Sequence, residues 1–196
     1  EQFPGSQADS DDFAEQGSNG GEIADEGDAC PERNDDPCQM PAAALVDRLT
    51  SWFHDAGLEP STDAAWMAKL VALLQPRAKR LGDFVDQARP FLLEAPEFDE
   101  DAVAKHLSGK TAAGYLDAMG QLLGTLEPFD EGTVEAAVRG LAERLAIKAG
   151  ALMHPIRVAL VGRTTSPGLF ESLVLIGRSQ SITRLARGAA LARARG

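Results

Sequence analysis

Six residues of this 196-residue chain combine a donor-rich side chain with a place at or beside the end of a helical segment: Arg77, Arg80, Arg157, Arg163, Thr164 and Arg178. Arg163-Thr164-Thr165 follows Gly162 and precedes Ser166-Pro167, so a short exposed linker offers donors to phosphate oxygens. Arg77-Ala78-Lys79-Arg80 forms a basic stretch after Pro76, and Arg178 comes directly after Gly177. Arg157 is expected to face outward from a helix whose other side buries Ile156, Ala159 and Leu160. A guanidinium is permanently charged, forks to two acceptors at once and stacks on flat rings, so it serves both phosphate and unpaired bases. Helix N-termini at these junctions add a positive partial charge. The competing readings are a solvated helix end for Arg77 and Arg80, and a structural pairing with a carboxylate for Arg157.

Catalytic groupings are missing. The sequence has no phosphate-binding G-x-x-x-x-G-K loop, no paired-His metal motif and no G-x-S-x-G. Cys30 and Cys38 stand eight positions apart with no histidine near them, short of the three or four ligands a metal site needs. Two cysteines give no disulfide framework and fit a reducing compartment. His154, before Pro155, reads as a capping or packing residue, while His54 and His106 lie on amphipathic segments without a marked role. Trp52 and Trp66 fall on apolar stripes and read as core.

Charge is distributed in three parts. The whole chain carries −11, and residues 1–42 hold twelve acids against the single base Arg33, which accounts for all of it. From Lys148 to Gly196 there are eight bases and one acid, Glu171. A basic end of this kind suits a polyanion-binding surface, and it equally suits a solvated Arg-rich terminal helix.

Residues 1–42 contain Ile23 but no Leu or Val, too little apolar surface to offset the roughly 1–2 kcal/mol per residue lost in ordering a backbone. Disorder is expected there. From Pro41 the pattern turns helical. Leu45, Leu49, Trp52 and Phe53 recur at helical spacing up to Gly57, and Trp66, Leu70, Leu73 and Leu74 follow the capping residues Ser61, Thr62 and Asp63. Pro76 should end or kink that helix. Leu81, Phe84, Val85 and Ala88 mark a third, after which Pro90 and Pro96 bracket a loop-like stretch. Asp99 and Asp130 offer caps for later helices, with Tyr115 to Leu126 between them. Pro155 is expected to start a short helix ended by Gly162, and Ser166-Pro167 to start the next, ended by Gly177. No period-2 run bounded by hairpin turns occurs. The reading is all-α: a disordered acidic segment over 1–42, a first helical subdomain over 43–92 and a second over 93–196 with a basic end.

Three ordered blocks carry a family resemblance. Lys148 to Leu185 contains H-P-I-R-V-A-L-V-G followed by S-P-G-L-F-E; Leu73 to Leu81 reads L-L-Q-P-R-A-K-R-L; Phe91 to Leu107 contains E-A-P-E-F-D and A-K-H-L. From about residue 43 onward the chain resembles the C-terminal anticodon-binding domain of bacterial-type glutamyl-tRNA synthetases, class I aminoacyl-tRNA synthetases. The resemblance implies a tRNA(Glu)-binding module that contacts the anticodon loop, with Arg163 and the Arg77–Arg80 junction reaching anticodon nucleotides. The family's H-I-G-H-like and K-M-S-K-S-like catalytic motifs are absent. The chain therefore reads as lacking the catalytic domain, with no cofactor of its own, since ATP and Mg belong to that domain. It starts without Met, as a fragment or processed product does. A monomer in the cytoplasm is expected, with no membrane and no DNA partner. The alternative is a helical protein-interaction adaptor with an acidic disordered tail.

Overall fold

Aspartates start three of the helices. The Asp63 carboxylate accepts from the backbone N–H of Ala65 at 2.9 Å and Trp66 at 3.1 Å. Asp99 accepts from Ala102 at 2.8 Å, and Asp130 from Thr133 at 2.8 Å. Each satisfies donors that a helix start leaves unpaired, an effect of about 1 kcal/mol. The structure, a computed structural model, describes Pro37 and residues 40–196. The acidic segment lies outside the described residues except at its end, where Pro41 and Ala42 are the N-cap and first residue of a helix. Cys30 and Cys38 also lie outside them.

The described residues are all-helical. The helices are α1 (Ala42–Asp55), α2 (Ala64–Leu74), α3 (Leu81–Leu92), α4 (Glu100–His106), α5 (Gly109–Thr125), α6 (Glu131–Arg144), α7 (Ala149–Val161), α8 (Leu169–Ile176) and α9 (Arg178–Ala194). A 3₁₀ turn over Gln75–Arg77 follows α2, in keeping with the proline at 76. α1 to α3 enclose one apolar cluster around Leu45, Leu49, Phe53, Leu70 and Phe84. α4 to α9 enclose another, with α9 packed most extensively on α5 and then on α7. The C-terminal end of α8 touches both, and the Trp66 indole N–H donates to the Leu175 carbonyl at 2.8 Å across the junction.

Several local expectations are corrected. α3 continues through Pro90, so the loop begins later than expected. A proline in the last turn removes a single backbone bond, to the Asp86 carbonyl, which a packed helix end tolerates. Pro155 lies inside α7 rather than at its start; the carbonyl it leaves, on Ala151, belongs to an exposed residue that water can reach. Ser166-Pro167 does not open α8, whose N-cap is Gly168. Trp52 keeps 41% of its surface exposed because it flanks, rather than joins, the buried stripe Leu45, Leu49 and Phe53. Gly162 does end α7, in a left-handed conformation with φ 77°. A Cβ there would fall 1.9 Å from the Glu97 carbonyl oxygen, so glycine is required by space as well as by conformation.

Candidate nucleic-acid interface

The turn before α3 is shaped by its own sequence. Asp83 accepts from the backbone N–H of Lys79 at 2.8 Å and of Arg80 at 3.0 Å, and these bonds, the Lys79 one first, hold its carboxyl below the usual range. Arg77 is thereby presented toward the α7–α8 loop, with its carbonyl taken by the Gln87 amide at 3.5 Å. Its guanidinium donates to the Ser166 carbonyl.

Arg157 approaches the same loop from α7. It donates to the Ser166 hydroxyl, to the Ser166 carbonyl at 3.3 Å and to the Pro167 carbonyl at 2.9 Å. Burial first, then the neighbouring Arg77 charge, lower its pKa, while Glu171 opposes them. Arg163, the first residue past the Gly162 corner, reaches back across the junction to the Asp86 carbonyl at 3.5 Å. That carbonyl faces no N–H from Pro90, which has none, and so remains available to a side chain. Thr164 stands exposed beside it.

These groups surround a cleft of about 230 Å³ between α3 and the α7–α8 loop. Pro90, Phe91 and Val161 give it an apolar lining, and Arg77, Gln87 and Arg163 supply polar groups. Of the six candidates from sequence, Arg77 and Arg163 line it, Arg157 holds the lining residues Ser166 and Pro167, and Thr164 is adjacent. Arg80 is exposed at the N-cap of α3. Arg178 is engaged elsewhere: it pairs with Glu127 at 2.8 Å, donates to the Leu126 carbonyl and lies 5.3 Å from the Phe129 ring centre.

The basic end is less available than its charge suggests. Arg193 pairs with Asp117, Arg195 pairs with Glu100 at 3.2 Å, and Arg187 lies 6.0 Å from the Phe98 ring centre. Arg184, one of the eight bases from Lys148 onward, is buried at 2% exposure, where a solvated or polyanion-facing terminal helix would present it. Sequence reasoning also missed Gln87 and Ser166. Asp86, Gln87, Pro90 and Phe91 recur at helical spacing along α3, with Pro90 and Phe91 buried, and that run was the signal for Gln87. His106 and His154 stack at 4.9 Å between ring centres, where burial first and then the second ring lower the pKa of His106.

Residues 44–189 match the sequence profile of the anticodon binding domain family. The chain belongs to that family. Among curated relatives, glutamate–tRNA ligase of Moorella thermoacetica is 37% identical over 130 residues, 66% of this chain and 26% of the ligase. Glutamate–tRNA ligase 2 of Koribacter versatilis is 32% identical over 148 residues, 75% of this chain and 31% of the ligase. The chain thus spans about a quarter to a third of the curated relatives it matches. The crystal structure of a glutamate tRNA ligase from Elizabethkingia meningosepticum, in complex with its amino acid, superposes with a TM-score of 0.69 at 24% identity. It covers 79% of this chain and 30% of the ligase, a likeness of fold. This family membership favours an RNA-binding module over the adaptor reading. Among the described residues, no helix is long and apolar enough to cross a membrane, and no cluster of three or more His, Cys, Asp or Glu could hold a metal.

Proposed function

We propose that this chain is the anticodon-loop-binding module of a glutamate–tRNA ligase and that its ligand is tRNA(Glu). The observation that carries the reading is how Arg77, Arg157 and Arg163 are held: their guanidinium groups donate to backbone carbonyls and a hydroxyl rather than to carboxylates. A carbonyl orients a guanidinium without cancelling its charge, so Arg77 and Arg163 against the Asp86 carboxylate leave the lining net positive for an anion. An apolar cavity of about 150 Å³ takes a benzene ring, and the larger cleft, lined with Pro90, Phe91 and Val161, accepts one unpaired base. Arg77, Arg163 and Gln87 read its edge, while Thr164 and Arg80 hold flanking phosphates. Arg157 keeps the loop in place behind them.

The module acts as a monomer in the cytoplasm and takes no DNA. It makes no aminoacyl-tRNA alone; ATP, Mg and glutamate are handled by the catalytic domain of the ligase. The test is a titration with labelled tRNA(Glu) and with a tRNA differing only in its anticodon, across a salt series. The cognate RNA should bind more tightly, with a log–log salt slope of roughly 0.7–0.9 per phosphate contacted. Binding indifferent to the anticodon rejects the reading.

A further inference from the structure

Behind the cleft lies a buried cation. The Arg184 guanidinium donates to three backbone carbonyls, Nη1 to Pro90 at 2.6 Å and to Leu160 at 2.7 Å, and Nη2 to Leu93 at 2.7 Å. Pro90 and Leu93 lie at the C-terminal end of α3 and Leu160 in the last turn of α7, where helices leave carbonyls without intrahelical partners. One turn earlier on the same face of α9, Gln180 donates to the Glu94 carbonyl. A cation there also meets the negative ends of two helix dipoles. Burial draws the guanidinium down to about 10, which leaves it charged at neutral pH.

Stability is a poor reason for this arrangement. A buried charge loses its hydration, and an apolar side chain of similar volume often serves the fold as well. The Arg184 Nε also has no acceptor among the described residues. What the planar fork does, and an apolar chain cannot, is fix carbonyls of two helices relative to one another. Those helices carry opposite walls of the cleft: Gln87 and Phe91 on α3, Val161 and then Arg163 at the end of α7.

We propose that Arg184, supported by Gln180, is a positioning residue that sets the angle and spacing of α3 against α7, and through them the fit of the cleft to a nucleotide. It touches no ligand. The inference rests on the RNA-binding reading above, so its test includes a readout free of RNA. In a Trp52→Phe background Trp66 is the remaining tryptophan, and its bond to Leu175 makes its emission a reporter of the junction between the two cores.

Arg184→Lys keeps a charge but gathers its donors on one nitrogen. Helical circular dichroism should be retained and Trp66 emission should shift to the red. Cognate tRNA should bind roughly tenfold more weakly at an unchanged salt slope, as misplacement of a site predicts, and anticodon preference should narrow. Val134→Ala, a cut in the second core on α6, should change neither Trp66 nor affinity. If Arg184→Lys does not fold, Gln180→Ala must give the same signs at smaller size. A folded variant with wild-type affinity overturns the proposal, as does a salt slope lowered by about one unit, the mark of a direct phosphate contact. If wild-type protein shows no anticodon preference, the RNA reading falls, and unchanged Trp66 emission in Arg184→Lys then removes Arg184's role at the junction as well.

Discussion

The arginines around Ser166 and those along α9 carry the same formal charge and deliver different amounts of it. Arg178, Arg193 and Arg195 are bonded to the carboxylates of Glu127, Asp117 and Glu100, so much of the excess at the basic end is cancelled by acids earlier in the chain. Arg77, Arg157 and Arg163 are bonded to carbonyls and a hydroxyl, which aim them without neutralising them, although the Glu171 carboxylate acts on Arg157 through space. A basic segment in a sequence therefore says where cations are, and the acceptor each one finds decides which can attract a polyanion.

The strongest test of the contrast is Arg157→Ala. It removes the bonds that hold Ser166 and Pro167, so it should cost about 2 kcal/mol of folding stability, the range for hydrogen bonds to a charged group, and most of the affinity for tRNA(Glu). Urea unfolding and RNA titration measure the two, and wild-type values in both would erase the distinction. Arg163→Ala should cost about 1–3 kcal/mol of cognate binding and blunt discrimination between anticodon variants. A uniform loss across all tRNAs would instead make Arg163 a phosphate contact.

Deleting residues 1–36, which hold twelve acids and Arg33, should strengthen RNA binding several-fold at low salt, an advantage that screening removes as salt rises. The thermal midpoint of the helical part should barely move. Arg193→Ala, on the carboxylate-bonded side, should change stability by less than about 1 kcal/mol, as exposed pairs do, and leave tRNA affinity unchanged. Arg187→Ala should act as a phosphate contact or not at all.

The smallest effect is a titration. The hydrogen bond from Arg178, then its charge, hold the Glu127 carboxyl below its ordinary 4.5. A depressed acid contributes stability that is present above its unfolded pKa and lost as pH falls through the folded one. Acid should thus release Arg178 while leaving the carbonyl-held arginines untouched, and Arg178→Gln should flatten that part of the stability profile.

Where helix boundaries depend on local chemistry, the sequence was readable: Asp99 and Asp130 cap as expected, Asp63 is the one of Ser61, Thr62 and Asp63 that caps, and helices end at or just before Gly57, Gly162 and Gly177, each at positive φ. Prolines misled, because Pro90 and Pro155 sit in helices whose packing outweighs one lost bond. Arg77 and Arg163 were legible as candidates, yet their meeting across some 86 residues of chain was not. That meeting depends on Arg184, and no periodicity distinguishes an arginine that points inward from its neighbours that point out.

Gly162 sets a boundary on how this surface can be redesigned. Its own carbonyl accepts from the Asp99 N–H at 2.9 Å, and its α-carbon leaves no room for a side chain beside Glu97. The corner that launches Arg163 is thus pinned to the start of α4, and a substitution library that includes position 162 would return misfolded members rather than altered preferences. Within this loop, side chains can change at the three residues that follow, Arg163, Thr164 and Thr165, while the corner stays put.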